Sequence, residues 1–299
     1  VIRGRSIKKY QPIYLNYLLK TWLARKEVVE KSGGSTRYNV GQETLAAVNI
    51  YISANDNEQQ KIANFLSSVD KKIQQLTEKQ SLLQQYKKGI MQKLFSQEIR
   101  FKNEQGNDFP DWEEKPLGIL SVKINNKNKD EAIKNVLTNS AKRGIINQTD
   151  YFDKDIANQN NLGGYYIVEK DDFIYNPRIS ESAPVGPVKR NNLFTGVMSP
   201  LYTVFRFQEN SYLAFFELYF GTTFWHRYMN GIANYGARHD RMNITMGDFQ
   251  KLPLPYPSEP EMMKIIKFIS AIDSKLAMVT KQLEQTKTFK KGLLQQMFV

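Results

Sequence analysis

Two stretches of this chain are near copies of each other: residues 58–95 and 261–298 align without a gap, and thirteen of the 38 pairs are identical. Glu58 matches Glu261, Phe65 matches Phe268, Asp70 matches Asp273, Lys87 matches Lys290 and Phe95 matches Phe298. Both copies carry a seam whose spacing alternates between four and three. In the first it runs Ile62, Leu66, Val69, Ile73, Leu76, Gln80, Leu83, Lys87, Ile90, Leu94; in the second, Ile265, Ile269, Ile272, Leu276, Val279, Leu283, Thr286, Lys290, Leu293, Met297. That is the heptad of a coiled coil, held over more length than a helix resting on an ordinary core needs. Each helix would be about 57 Å long at roughly 1.5 Å per residue. The polar seam residues Gln80, Lys87, Thr286 and Lys290 weaken an extended homotypic zipper and suit one pairing register, which favours two helices of one chain packing together. A pair of separate amphipathic helices on separate cores is the plainer alternative.

The interval between the copies far exceeds the roughly 20 to 50 residues of a solenoid repeat, so the duplicated unit is a domain with its helix. The segment between the helices has α+β texture. GYYIVEK and LYTVFRF read as strands, YLAFFELYF and FWHRYMNGI as helices, and NPRISESAPVGPVKRNN as a long loop punctuated by Pro and Gly. The residues before the first long helix echo the end of that domain: YLNYLLKTW is similar to YLAFFELYF, and RYNVGQETLAAVNIYI to RMNITMGDFQKLPLPY. The expected division is residues 1–55 as the C-terminal part of a first domain, 56–100 as the first long helix, 108–257 as a second domain and 259–299 as the second long helix. The rest of a first domain is expected upstream of Val1.

Forty-two Lys and Arg against thirty Asp and Glu give a formal charge of +12, which favours a polyanionic partner such as nucleic acid. No apolar run is long enough to span a bilayer, the start lacks the apolar stretch of a signal peptide and there is no cysteine, so the expected setting is cytoplasmic, without membrane contact. The basic residues gather in segments that read as loops: Lys142 and Arg143, Arg178, Lys189 and Arg190, and Arg238 and Arg241 with Asn243. Arg37 and Asn39 are the counterparts of Arg241 and Asn243 in the first copy. Arginine can pair bidentately with guanine or bind phosphate, and loops on a rigid scaffold are where such contacts usually sit. The same arginines could equally be solvated or locked in internal ion pairs, and Asn39 and Asn243 could cap the helices that follow.

Catalytic motifs are not evident. An adenine methyltransferase needs a Gly-rich methyl-donor loop and an Asn/Asp-Pro-Pro-aromatic motif; the nearest string, YNPRIS, has Arg178 where the second proline belongs. A Gly-Lys-Ser/Thr phosphate loop is missing. Asp111, Glu113 and Lys115 mimic a nuclease acid pair only superficially, and His226 and His239 have no companions at metal-ligand spacing.

The order domain, helix, domain, helix, with FPDWEEKPLGIL opening the second domain, LPLPYPSEPEMMKI closing it and the elements EQQKIANFLSSVDKKI and YKKGIMQKLFSQEIRF, resembles the specificity subunits of type I restriction-modification systems. The resemblance implies target-recognition domains of mixed strands and helices, each reading half of a split DNA target, joined by two long helices that form an antiparallel intramolecular coiled coil. It implies a non-catalytic subunit that binds double-stranded DNA, holds two methylation subunits and through them engages motor-nuclease subunits. No cofactor is implied on this chain; S-adenosylmethionine, ATP and magnesium would belong to the partners. A structural coiled-coil adaptor with incidental positive charge is the alternative function.

Overall fold

The computed structural model describes residues 10–32, 40–148, 162–235 and 240–298. The chain divides into two compact units, Val1–Lys87 with Ala271–Val299, and Lys88–Ser270.

In the first unit, α1 (Pro12–Leu18) starts at a proline and is capped by Gln11, whose side chain accepts from the Ile13 N–H. Thr21 caps α2 (Trp22–Lys31) through the Ala24 N–H, α3 (Gln42–Ala46) follows, and α4 (Asp56–Phe95) is the first heptad helix. Asn55 caps α4, its Oδ1 accepting from the N–H groups of Asn57 and Glu58. Tyr14, Tyr17 and Leu18 of α1 share a core with Ile62, Ala63 and Leu66 of α4 and with Phe298.

The second unit runs β1 (Glu113–Pro116), α5 (Leu117–Leu120), β2 (Ser121–Ile124), β3 (Leu137–Ser140), β4 (Gly144–Asn147), β5 (Tyr166–Val168), β6 (Phe173–Tyr175), β7 (Val188–Arg190), β8 (Gly196–Met198) and β9 (Thr203–Phe207). Then come α6 (Leu213–Phe220), α7 (His226–Ile232), β10 (Asn234–Tyr235), β11 (Met242–Asn243), α8 (Met246–Gln250), β12 (Pro253–Tyr256) and α9 (Glu259–Gln296), whose later part belongs to the first unit. Strands β2, β9, β6 and β7 form an antiparallel sheet in that order; β1–β12, β3–β4, β5–β8 and β10–β11 are two-stranded. An aromatic core lies against the larger sheet, where Phe173, Phe205 and Phe216 are fully buried and Phe207 stacks on Phe216 with centroids 4.4 Å apart.

The two heptad helices meet antiparallel in the first unit. Leu76 packs with Val279 and Leu283, and Gln80 Nε2 donates to Thr280 Oγ1 at 2.6 Å. Lys87 Nζ reaches Asp273 Oδ1 at 2.6 Å, and Lys290 Nζ reaches Asp70 Oδ1 at 2.5 Å. The sequence aligns Asp70 with Asp273 and Lys87 with Lys290, so these two ion pairs are one contact made twice about a local pseudo-twofold axis. Every seam position is buried or half-buried, the polar ones included. The α+β class with an antiparallel intramolecular coiled coil is therefore what the chain adopts.

GYYIVEK and LYTVFRF hold β5 and β9, and the two expected helices are α6 and α7. One expectation is corrected: Lys189 and Arg190 lie on β7, not in a loop, because Val188, Lys189 and Arg190 pair with Tyr175, Ile174 and Phe173 across the sheet. LPLPY forms β12, whose prolines are tolerated because its sheet has just two strands.

Candidate nucleic-acid interface

The β3–β4 hairpin turns through Ala141, Lys142 and Arg143, and Gly144 closes it with φ +74°, a conformation that disfavours a side chain. Arg143 N donates to Ser140 Oγ at 3.3 Å, which fixes the start of the turn. Facing the hairpin is the segment after β6. Asn176 Oδ1 accepts from the Arg178 N–H at 3.0 Å, and Arg178 then forms a backbone bridge with Arg241. Two further backbone bonds join these strands, Ile179 N to Asp240 O at 3.0 Å and Met242 N to Pro177 O at 2.9 Å. Gly186, at φ +76°, lets the returning chain pass close to Asn176; a Cβ there would fall 2.1 Å from the Asn176 carbonyl oxygen.

Between these elements lies a cleft of about 640 Å³ that brings Lys142, Arg143, Arg178 and Arg241 onto one concave surface. Its other lining residues are neutral, including Gln148, Ser180, Ser182, Ser199 and Tyr202; no acidic residue lines it among the described residues. Lys142, Arg178 and Arg241 are exposed, and among the described residues none of them has an ion-pair partner. The floor is rigid. Thr138 Oγ1 and Tyr202 Oη are 3.0 Å apart, and buried Asn139 donates through Nδ2 to the carbonyls of Ile174 (2.8 Å) and Pro187 (3.1 Å). Asn139 Oδ1 has no partner among the described residues, leaving a buried acceptor in the floor.

The other expected contacts fall elsewhere. Arg190 is held by Asp171 Oδ1 (2.6 Å from Nη2) and by Glu217 Oε2 (3.4 Å from Nη1), an internal ion pair of the kind weighed as the alternative. Lys189 is half-buried, and burial pushes its ammonium below the usual range, with Glu217 opposing. Asn243 is exposed on β11 and does not cap α8; Thr245 does, accepting from the Asp248 N–H. Arg37, Asn39, Arg238 and His239 lie outside the described residues. The cleft also recruits Asn139, Asn176, Gln148 and Tyr202, which were not anticipated; LTNSAKRGIIN, two apolar-alternating runs around a Gly-containing turn, is the local signal that could have shown the hairpin.

The PDWEEK residues make local contacts. Arg100 pairs with Asp111, and Lys115 sits 3.6 Å from the centre of the Tyr256 ring beside Glu113. His226 opens α7 against Trp225, and burial lowers its pKa. Among the described residues there is no group of three or more His, Cys, Asp or Glu able to hold a metal ion, and no helix is long and apolar enough to cross a membrane.

The chain is similar to several known proteins. A family profile described as the type I restriction modification DNA specificity domain matches residues 1–85. A protein of Methanocaldococcus jannaschii named for the type I restriction enzyme MjaX as its specificity subunit is 26% identical over 312 residues, covering 96% of this chain and 67% of the relative. The fold is shared with the type I restriction-modification S subunit of M. genitalium, with TM-score 0.55 and 18% identity, over 96% of this chain and 72% of that one. It is shared too with a chain from a structure addressing complex assembly and conformational transition of the type I R-M system, with TM-score 0.56 and 14% identity, over 97% of this chain and 71% of that one.

Proposed function

From a chain that resembles type I restriction-modification specificity subunits in sequence and in fold, we propose a subunit that reads DNA sequence and carries no catalysis of its own. The observation that carries the reading is the cleft, where Lys142, Arg178 and Arg241, far apart in sequence, converge on a lining that holds no acid among the described residues. Such a surface attracts a phosphate backbone and can present Arg178 and Arg241 to base edges, while neutral Ser, Gln and Tyr side chains supply finer hydrogen bonding.

In this reading the second unit reads one half of a split target, and residues 1–55 belong to the domain that reads the other. The coiled coil holds two methylation subunits, which in turn engage the motor-nuclease subunits. S-adenosylmethionine, ATP and magnesium act on those partners, in the cytoplasm. Exposed apolar side chains on the coil support the docking role. Tyr86 and Phe289 occupy matching positions in the two copies and are 51% and 54% exposed, the arrangement expected if two like partners bind two like faces.

The test is DNA binding by the chain assembled with its methylation subunits, measured by fluorescence anisotropy against the methylated target and against competitor DNA. Arg178→Ala and Arg241→Ala are each expected to weaken target binding by about 1 to 3 kcal/mol if they read bases, with relaxed preference at one position; a phosphate contact instead lowers affinity for all sequences and flattens its salt dependence. Wild-type binding by both variants would remove the cleft from the interface. Absence of any sequence preference in the wild-type assembly would favour a structural adaptor.

A further inference from the structure

One apolar side chain stands out in the cationic cleft. Leu201 is 58% exposed and lines it together with Lys142, Arg143, Gln148 and Tyr202. Its position follows from the turn between β8 and β9. The Tyr202 N–H donates to the Ser199 carbonyl at 3.1 Å, which closes a four-residue turn, and the Leu201 N–H donates to Ser199 Oγ at 3.4 Å. Pro200 fixes φ at the second position of that turn, where proline is favoured, and serine is favoured at the first. On either side Met198, the last residue of β8, and Val204, near the start of β9, are fully buried. Tyr202 Oη is 3.0 Å from Thr138 Oγ1 on β3. The turn is therefore anchored at both feet, and Leu201 is the residue it holds out.

An isolated exposed leucine on a protein surface is ordinary. Leu201 differs in its company. Lys142, Arg178 and Arg241 are exposed on the same concave surface, and its lining holds no acid among the described residues. Neither phosphate nor water rewards an aliphatic side chain, so Leu201 adds nothing to the attraction of a nucleic-acid backbone. What duplex DNA offers such a side chain on the base edges of the major groove is the C5-methyl group of thymine, and apolar contact with that methyl distinguishes thymine from the unmethylated bases. Arginine reads guanine in the same groove, through O6 and N7. The cleft thus presents donors suited to one kind of base pair and an apolar contact suited to the other.

We propose that Leu201 is a specificity-determining residue that packs against the methyl group of one thymine in the DNA target, which rests on the DNA-reading role of the cleft. The base pair it selects is A·T in a single orientation, since the methyl lies on the thymine side of the groove. The contact is uncharged and short in range. It therefore separates one sequence from another while leaving the number of neutralised phosphates, and with it the salt dependence of binding, as it was.

The test uses the chain assembled with its methylation subunits and a fluorescein-labelled duplex carrying the sequence that methylation mapping identifies in cells holding the assembly. Each thymine is replaced in turn by deoxyuridine, which removes the methyl and keeps the base pairing, and binding is followed by anisotropy. One replacement is expected to weaken binding about fourfold, the factor that burial of one methyl-sized group supplies. Leu201→Ala should weaken binding of the thymine duplex by at least that factor, bind the thymine and deoxyuridine duplexes alike, and keep the wild-type slope of affinity against salt. Leu201→Met, which keeps an apolar reach, should preserve the difference between the duplexes. Phe194→Ala, at an exposed apolar side chain outside the cleft lining, should behave as wild type. A target in which no thymine methyl matters, or in which every methyl effect survives Leu201→Ala, would overturn the proposal while leaving the cleft as a DNA-reading surface. An assembly with no sequence preference at all would overturn both.

Discussion

At the scale of single residues, Glu261 does the most with one side chain. It is fully buried and accepts from Arg100 through Nε (3.1 Å) and Nη2 (2.8 Å) and from the Trp112 indole, so within the second unit it ties the first turn of α9 to the segment that leads into β1. The paired carboxylate raises the Arg100 pKa against the opposing effect of burial. Removing one partner of such a pair leaves the other uncompensated, and Glu261→Ala is expected to cost about 3 kcal/mol or more in urea unfolding. Little of this was legible beforehand. Glu58 and Glu261 are identical in the alignment, which marks the position, but their surroundings differ because the donors to Glu261 come from Arg100 and Trp112, far from it in sequence. The cleft is a similar case: each cation was identifiable, but Lys142, Arg178 and Arg241 meet only through a hairpin and a backbone bridge set by long-range pairing.

At the scale of elements, the long helices were legible because their pattern is local and repeated, and a heptad needs no knowledge of distant contacts. Short strands such as β7 were not; three residues after a proline-rich stretch become a strand only because β6 lies beside them. The coil's ion pairs are partly exposed, Lys87 at 25% and Asp273 at 48%, so their worth is modest. A double-mutant cycle on Lys87→Ala and Asp273→Ala should give a coupling of about 0.5 to 1 kcal/mol, shrinking with added salt. Asp70 adds a pH dependence. Burial pushes its carboxyl up, but the hydrogen bonds from Lys290 and Tyr17 outweigh it and hold the pKa below the ordinary 3.8. Its stabilising share is therefore complete above that value and lost as pH falls through the lower folded pKa. An acid titration of thermal stability should show this loss below about pH 4, and Asp70→Asn should abolish that component.

At the scale of the whole molecule, each long helix holds both halves of the same lock: Asp70 and Lys87 on α4, Asp273 and Lys290 on α9. The lock is therefore palindromic, and neither helix is key or keyhole. A truncated chain of residues 88–299 would retain α9 while losing the stretch of α4 that covers Val279 and Leu283. Two such chains could clasp through α9 alone, Asp273 of each meeting Lys290 of the other, in an isologous dimer. Light scattering after gel filtration should find twice the monomer mass, and Lys290→Asp should shift the mixture toward monomer. A lock of this symmetry predicts that either helix can be exchanged for a foreign one that keeps the seam together with an aspartate and a lysine at these two places.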